Sequence, residues 1–351
     1  MAGTRIKKKH SHVEFMVPRK LIDNEGGNVV EENMMPKQEV FDLREKIAAG
    51  GLSRHETFTP RYGWLKKGYE AAKKDGKVFS APDAIERIGV GKNMVRSIRS
   101  WCLAFHLLEP PKNTSSKGQQ GILQPTDLAS NLLKDDGWDP FLEDLGSLWL
   151  LHWQLFVPPF EAVAWPLAFN HCTLQSFDHK QLTKVLISAS KNYNKLSNLS
   201  EGSFEKDASC LIRMYTDTRE DASAGIESPF AQLDIIRPAS DQNAYRFVTA
   251  EKQTLPSLIF TACCFQYAEY TQPNLESLSL HKIVYDNFSP GVAFKLNETE
   301  AGRLLDEAAQ ILPDIDFKED QGYRQLYYGK KPGQLFWDAL GKYYRRQQYR
   351  G

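Results

Sequence analysis

At 351 residues, 41% hydrophobic and 25% charged, the chain is long enough for two or three domains and has an ordinary globular composition. Lys+Arg and Asp+Glu both total 44, which excludes a uniformly basic coat, so any nucleic-acid surface has to come from local segregation of charge. Five cysteines without CxxC spacing argue against a disulfide framework and against structural zinc, and fit a reducing cytoplasm.

Residues 1–50 read as an extension: a basic run at Lys7-Lys8-Lys9 with no apolar core after it, a Gly26-Gly27 break and a short helical pattern over 40–48. The texture changes at Arg54. Trp64, Leu65, Tyr69 and Ala72 recur at helical spacing, and Asp75-Gly76 stops that helix. Ser80 is placed to cap the next one, with Pro82 in its first turn and Ala84, Ile85 and Ile88 inward. Gly89-Val90-Gly91 then turns tightly into a second helix. Its buried stripe is Met94, Val95, Ile98, Trp101 and Cys102, and Lys92, Asn93, Arg96 and Arg99 are left outside. Two short helices joined by a glycine turn, the second with a basic outer face, form the helix-turn-helix pattern. The polar run 112–121 reads as the loop of a wing, with Ile122-Leu123-Gln124-Pro125 returning as a strand.

Helices are expected over 126–133 and 142–156, on either side of an acidic turn at Asp135, Asp136 and Asp139. The apolar stretch 148–169 carries His152, Gln154, Glu161, Pro158 and Pro159, which suits buried helices and not a membrane span. Further helices are expected over 180–193, 204–215 and 256–270, with a hairpin pairing 233–237 with 245–249. Segments 277–285, 291–296, 298–311 and 323–328 suggest a last small unit of helices and short strands. The fold class is therefore mainly α, α+β: a helix-turn-helix or winged-helix N-terminal domain followed by helical and small winged-helix-like C-terminal units. The expected boundaries are an extension over 1–50, the helix-turn-helix domain over 51–170, a helical domain with a β-hairpin over 171–275 and a small α+β unit over 276–351.

Charge is segregated along this chain. From Arg61 to Arg99 ten basic residues face four acids, whereas from Asp127 to Leu150 six acids face Lys134 alone. The basic stretch coincides with the helix-turn-helix, so Lys92, Asn93, Arg96 and Arg99 are the leading candidates for contact with double-stranded DNA, with Arg54, Arg61, Lys66 and Lys67 as further phosphate contacts. The competing reading is a solvated basic helix in an ordinary bundle. Gly89-Val90-Gly91-Lys92 lacks phosphate-loop spacing and follows a helix, so no nucleotide site is expected. His55 and Glu56 could serve as base or metal ligand, or simply complete a buried network. Asp139, Glu143 and Asp144 could hold Mg²⁺ or Mn²⁺, or cap a helix opened by Asp139-Pro140. No known nuclease spacing accompanies either set. His152 reads as a satisfied core histidine. Lys342-Tyr343-Tyr344-Arg345-Arg346 reads either as a nucleic-acid contact or as a frayed tail.

Several long motifs carry a resemblance: His55-Glu56-Thr57-Phe58, Arg61-Tyr62-Gly63-Trp64-Leu65-Lys66-Lys67-Gly68, the run from Gly89 to Trp101, Asp139-Pro140-Phe141-Leu142-Glu143-Asp144, Leu148-Trp149-Leu150-Leu151-His152-Trp153 and Ser289-Pro290-Gly291-Val292-Ala293-Phe294-Lys295-Leu296. Over residues 51–330 the chain resembles a bacterial family long catalogued as a domain of unknown function, which is similar to the SspB-type subunit of single-strand DNA phosphorothioation systems. The resemblance implies DNA binding and metal-dependent nicking of one strand. It also implies a cysteine desulfurase, an ATPase and a sulfur-transfer enzyme as partners, a cytoplasmic setting and a role in antiviral defence. It assigns no catalytic residue.

Overall fold

Helices dominate the structure, a computed structural model that describes residues 43–111, 121–193, 195–216, 228–240, 243–249, 251–320 and 322–348, with the side chains of 43, 44, 48 and 348 left aside. The expected wing loop and most of the N-terminal extension lie outside the described residues. The extension's last turn is described as α1 (Leu43–Ala48), and its Ile47 is fully buried.

Next come α2 (Trp64–Lys74), α3 (Ala84–Ile88) and α4 (Lys92–Ala104). The helix α2 buries Trp64, Leu65, Gly68, Tyr69 and Ala72 and ends at Asp75, as its apolar spacing predicts. Two expectations for α3 are overturned. A 3₁₀ turn at Val78–Ser80 occupies the place where Ser80 would cap, and the helix instead starts after Asp83 without a side-chain cap. Ile85 faces solvent, because a five-residue helix has room to bury only one i,i+4 ridge, here Ala84 and Ile88.

After α4, β1 (Leu108–Glu109) pairs antiparallel with β2 (Gln124–Pro125), and α5 (Asp127–Leu133) follows with Thr126 as its side-chain cap. The most apolar helices, α6 (Leu145–Gln154) and α7 (Ala164–His171), bury nearly every residue, as their all-round hydrophobicity requires. Among the described residues no helix is long and apolar enough to cross a membrane. His152 lies in this core, 2.7 Å from the Tyr215 hydroxyl and 2.8 Å from the Ala293 carbonyl, satisfied at both nitrogens.

Helices α8 (His179–Ser190) and α9 (Glu201–Tyr215) pack together. The expected hairpin forms as β3 (Ile236–Pro238) with β4 (Tyr245–Phe247); Leu233 belongs instead to a preceding 3₁₀ turn, which ends in a left-handed Asp234. Then come α10 (Ser257–Thr271), β5 (Ser277–Ser279), α11 (Leu280–Tyr285), α12 (Pro290–Phe294), α13 (Glu298–Ala309), β6 (Ile315–Asp320), β7 (Tyr323–Tyr328) and α14 (Pro332–Gln348). The central strand β7 pairs antiparallel with both β5 and β6. The result is mainly α with small antiparallel sheets, an α+β protein, and all described residues fall in one compact unit.

The C-terminal run is not a frayed tail. Tyr343 and Tyr344 are buried in α14, where Tyr343 donates to Asp144 at 2.8 Å and Tyr344 lies 2.9 Å from the Ser147 hydroxyl. Trp138 stacks on Tyr344, so α14 clamps the acidic turn and the start of α6.

Candidate nucleic-acid interface

Gly89 supplies the left-handed residue (φ 71°) that ends α3 and turns the chain into α4. On α4, Val95, Ile98, Trp101 and Cys102 point into the core, and Met94 is only half-buried. Lys92, Asn93 and Arg96 are exposed and Arg99 is half-buried. The helix therefore presents its basic face outward, with two of these donors in its first turn, where free backbone N–H groups also favour an anion. Among the described residues Lys92, Asn93 and Arg99 have no ion-pair or hydrogen-bond partner, whereas Arg96 Nη1 lies 3.3 Å from Glu56 Oε1.

Glu56 belongs to a loop bent by three non-glycine residues in the left-handed region: Ser53 (φ 58°), Glu56 (φ 49°) and Thr57 (φ 67°). Such a conformation costs about 1–2 kcal/mol per residue. The surface pair Glu56–Arg96 is worth at most about 1 kcal/mol, too little to hold the bend. The bend is held from below. Asp207 Oδ1, on α9, accepts from Ser53 N at 2.8 Å, Ser53 Oγ at 3.2 Å and His55 Nε2 at 2.9 Å. The Phe58 carbonyl accepts from Trp101 Nε1 at 3.0 Å and from the Cys210 thiol, and the Thr57 carbonyl accepts from Arg213. The His55 ring also stacks on Trp101.

Two influences on His55 oppose each other. Burial disfavours the imidazolium, but Cys210 and Asp207 favour it and lift the pKa to about 10. The Thr57 N–H, however, points at Nδ1 from 3.1 Å and needs a lone pair there. That geometry decides for the neutral tautomer with its proton on Nε2, because an imidazolium would set two N–H dipoles head to head. His55 and Glu56 do not form a joint acid–base pair: His55 is buried and turned inward, and Glu56 faces α4 at the surface.

The other sequence-predicted cations are committed to the fold. Arg54 pairs with Glu161. Arg61 lies over the rings of Phe58 and Trp64, its guanidinium carbon 5.6 and 5.5 Å from their centroids, and its buried Nε has no acceptor. Lys66 donates to the Leu133 carbonyl and to Asp135, each at 2.7 Å, so the basic stretch and the acidic turn are bonded to each other here and do not form two independent faces. Burial opposes the Lys66 charge, but Asp135 and Glu70 more than offset it and raise its pKa. Lys67 donates to the Ile88 carbonyl at 3.0 Å, strapping the end of α3 to α2.

The acids act as caps. Asp139, buried, accepts from Glu143 N at 2.9 Å and Asp144 N at 3.0 Å, and Asp144 accepts from Gly146 N at 2.8 Å and from Tyr343. Glu143 is exposed. Among the described residues no group of three or more His, Cys, Asp or Glu side chains could hold a metal ion. Sequence reasoning missed Asp207 and Arg213. Their helical spacing on α9 was visible, but nothing in it points to a loop more than 150 residues away.

Residues 52–344 match the family model described as a protein of unknown function, DUF4007. The chain belongs to this family. It is also SspB-like: a magnesium-ion-bound crystal structure of SspB superposes with a TM-score of 0.78 at 32% identity, covering 85% of this chain and 90% of that one. A second SspB crystal structure gives the same TM-score and identity over 86% of this chain and 90% of its own. No curated protein matches the chain.

Proposed function

We propose that this SspB-like chain is a DNA-binding subunit of a DNA phosphorothioation system, laying α4 in the major groove of duplex DNA, with the β1–β2 pair as the base of a wing beside it. The observation that carries this reading is the exposed, unengaged set of Lys92, Asn93 and Arg99 next to Arg96 on one short helix. Arg96 and Arg99 have the donor geometry for guanine O6 and N7, and Lys92 and Asn93 suit phosphate at the helix N-terminus. The partners are the cysteine desulfurase, ATPase and sulfur-transfer enzyme that such a system requires, and the setting is cytoplasmic antiviral defence.

The reading extends to nicking of one strand with Mg²⁺ or Mn²⁺, supported by the likeness to a magnesium-bound SspB. The described carboxylates do not fit a dedicated metal cage, since Asp139 and Asp144 are spent on capping, so no catalytic step is assigned to them. That same commitment favours a second reading, a non-catalytic adaptor that recruits the modification enzymes. Domain boundaries at about residues 51, 171 and 276 remain part of this proposal.

One pair of assays tests it. Arg96→Ala with Arg99→Ala should weaken duplex binding and flatten its salt dependence by about two charges. Purified chain should convert supercoiled plasmid to open circle with Mg²⁺ or Mn²⁺ and not with a chelator. Unchanged binding removes the α4 interface, and intact plasmid under every divalent metal leaves the adaptor.

A further inference from the structure

A carboxylate beside the reading face of a DNA-binding helix faces a polyanion at close range. Glu56 is in that position: its Oε1 lies 3.3 Å from Arg96 Nη1, with 33% of the Glu56 side chain and 55% of the Arg96 side chain open to solvent. Chance contact does not account for the arrangement. Two consecutive left-handed residues, Glu56 and Thr57, aim the carboxylate, and bonds from Asp207, Trp101, Cys210 and Arg213 hold the loop in that shape. The loop fixes Glu56, and Glu56 in turn restrains Arg96.

The chemistry of the pair separates two kinds of DNA contact. A guanidinium has five donors in a rigid fork, so Arg96 can keep one N–H on Glu56 and still offer others to a base edge. A phosphate brought to the same guanidinium meets the Glu56 charge as well. The carboxylate thus opposes contacts that any sequence offers and tolerates a neutral guanine edge.

We propose that Glu56 is a specificity-determining residue for DNA: it orients Arg96 toward base edges and repels phosphate, lowering sequence-independent binding. This rests on the reading of α4 as the DNA-contacting helix.

The test uses the full chain, a randomised duplex in anisotropy titrations, and sequencing of the fraction a randomised duplex library yields after binding. Glu56→Gln should bind random duplex about three- to ten-fold more tightly at low salt, with the slope of log K against log salt steeper by about one. Its library enrichment should be flatter than that of the unmodified chain. Glu56→Asp keeps the charge and should keep the weak random-duplex binding. Melting curves check that both variants fold. The proposal is overturned if Glu56→Gln leaves affinity and enrichment unchanged or lower while Arg96→Ala weakens binding, or if Glu56→Asp gains random-duplex affinity as Glu56→Gln does. Should Arg96→Ala leave DNA binding untouched, the α4 reading itself falls and takes this proposal with it.

Discussion

His55 Nε2 and Asp207 Oδ1 meet at 2.9 Å across 152 residues of chain, and this buried bond ties the loop under α4 to α9. Asp207 is 1% exposed and its Oδ1 takes three donors, so the carboxylate holds both the Ser53 bend and the His55 ring in place. The loop that carries Glu56 is thus positioned by a helix far away in sequence.

Removing that carboxylate should be expensive. Asp207→Ala leaves His55 Nε2–H and Ser53 N–H without acceptors, and the expected destabilisation is about 3 kcal/mol, read as a lower urea midpoint at unchanged m-value. Asp207→Asn keeps an acceptor oxygen and should cost less. A loss below about 1 kcal/mol for the alanine variant would mean that Trp101 and Arg213 hold the loop without Asp207.

Two glycines should respond in opposite directions to the same change. A Cβ at Gly68 would lie 2.5 Å from Cys102 Sγ and 2.9 Å from Ile98 Cγ2, at the crossing of α2 and α4. Gly68→Ala is therefore expected to cost about 1–3 kcal/mol by pushing the two helices apart. At Gly202 on α9 a Cβ meets nothing within 4 Å, and Gly202→Ala should be neutral or gain up to about 1 kcal/mol. Thermal melts of the two variants check both; a stabilising Gly68→Ala would refute the close packing.

The helix-turn-helix was legible because its information is local. Gly89, the basic outer residues and the Val95, Ile98, Trp101, Cys102 stripe all lie within fourteen positions of one another. What failed was set by length or by distance. Ile85 fits an inward pattern, but α3 is too short to bury it. The strand β6 was missed because Asp316, Lys318, Glu319 and Asp320 mask the alternation of Ile315 and Phe317. The helix α14 was missed although Leu335, Phe336, Ala339, Leu340, Tyr343 and Tyr344 make a helical stripe; the basic residues between the tyrosines read as a tail. Lys66 and Lys67 look like phosphate contacts in one dimension, and only the fold brings the Leu133 and Ile88 carbonyls to them.

Acid should unfold this protein partly through His152. Burial, set against a hydrogen bond to the Ala293 carbonyl, pushes its pKa from 6.5 down to about 3. The unfolded chain then binds a proton that the folded one refuses. The stabilising contribution is complete above pH 6.5 and declines as pH falls toward 3, by about 1.4 kcal/mol per pH unit within that window. His152→Phe should be less stable at neutral pH, since the Tyr215 hydroxyl and the Ala293 carbonyl lose their partner. Its stability should nonetheless fall less steeply with acid than that of the unmodified chain. Parallel slopes in urea titrations at several pH values would rule His152 out as the acid-sensitive group.

Lys67 and Lys92 separate strapping from phosphate contact. Both are exposed lysines in the basic stretch, but Lys67 Nζ is bound to the Ile88 carbonyl at 3.0 Å and Lys92 has no partner among the described residues. Lys92→Met should weaken duplex binding at every sequence and reduce the salt slope by about one, with stability within about 0.5 kcal/mol of the parent. Lys67→Met should do the reverse, lowering stability by about 1 kcal/mol as the end of α3 loses its strap while the salt slope stays put. Salt-dependent anisotropy and denaturant curves on the same two preparations give both readings. If Lys67→Met alone lowers the salt slope, its bond to Ile88 yields to DNA and the contact surface runs from α4 across onto α2.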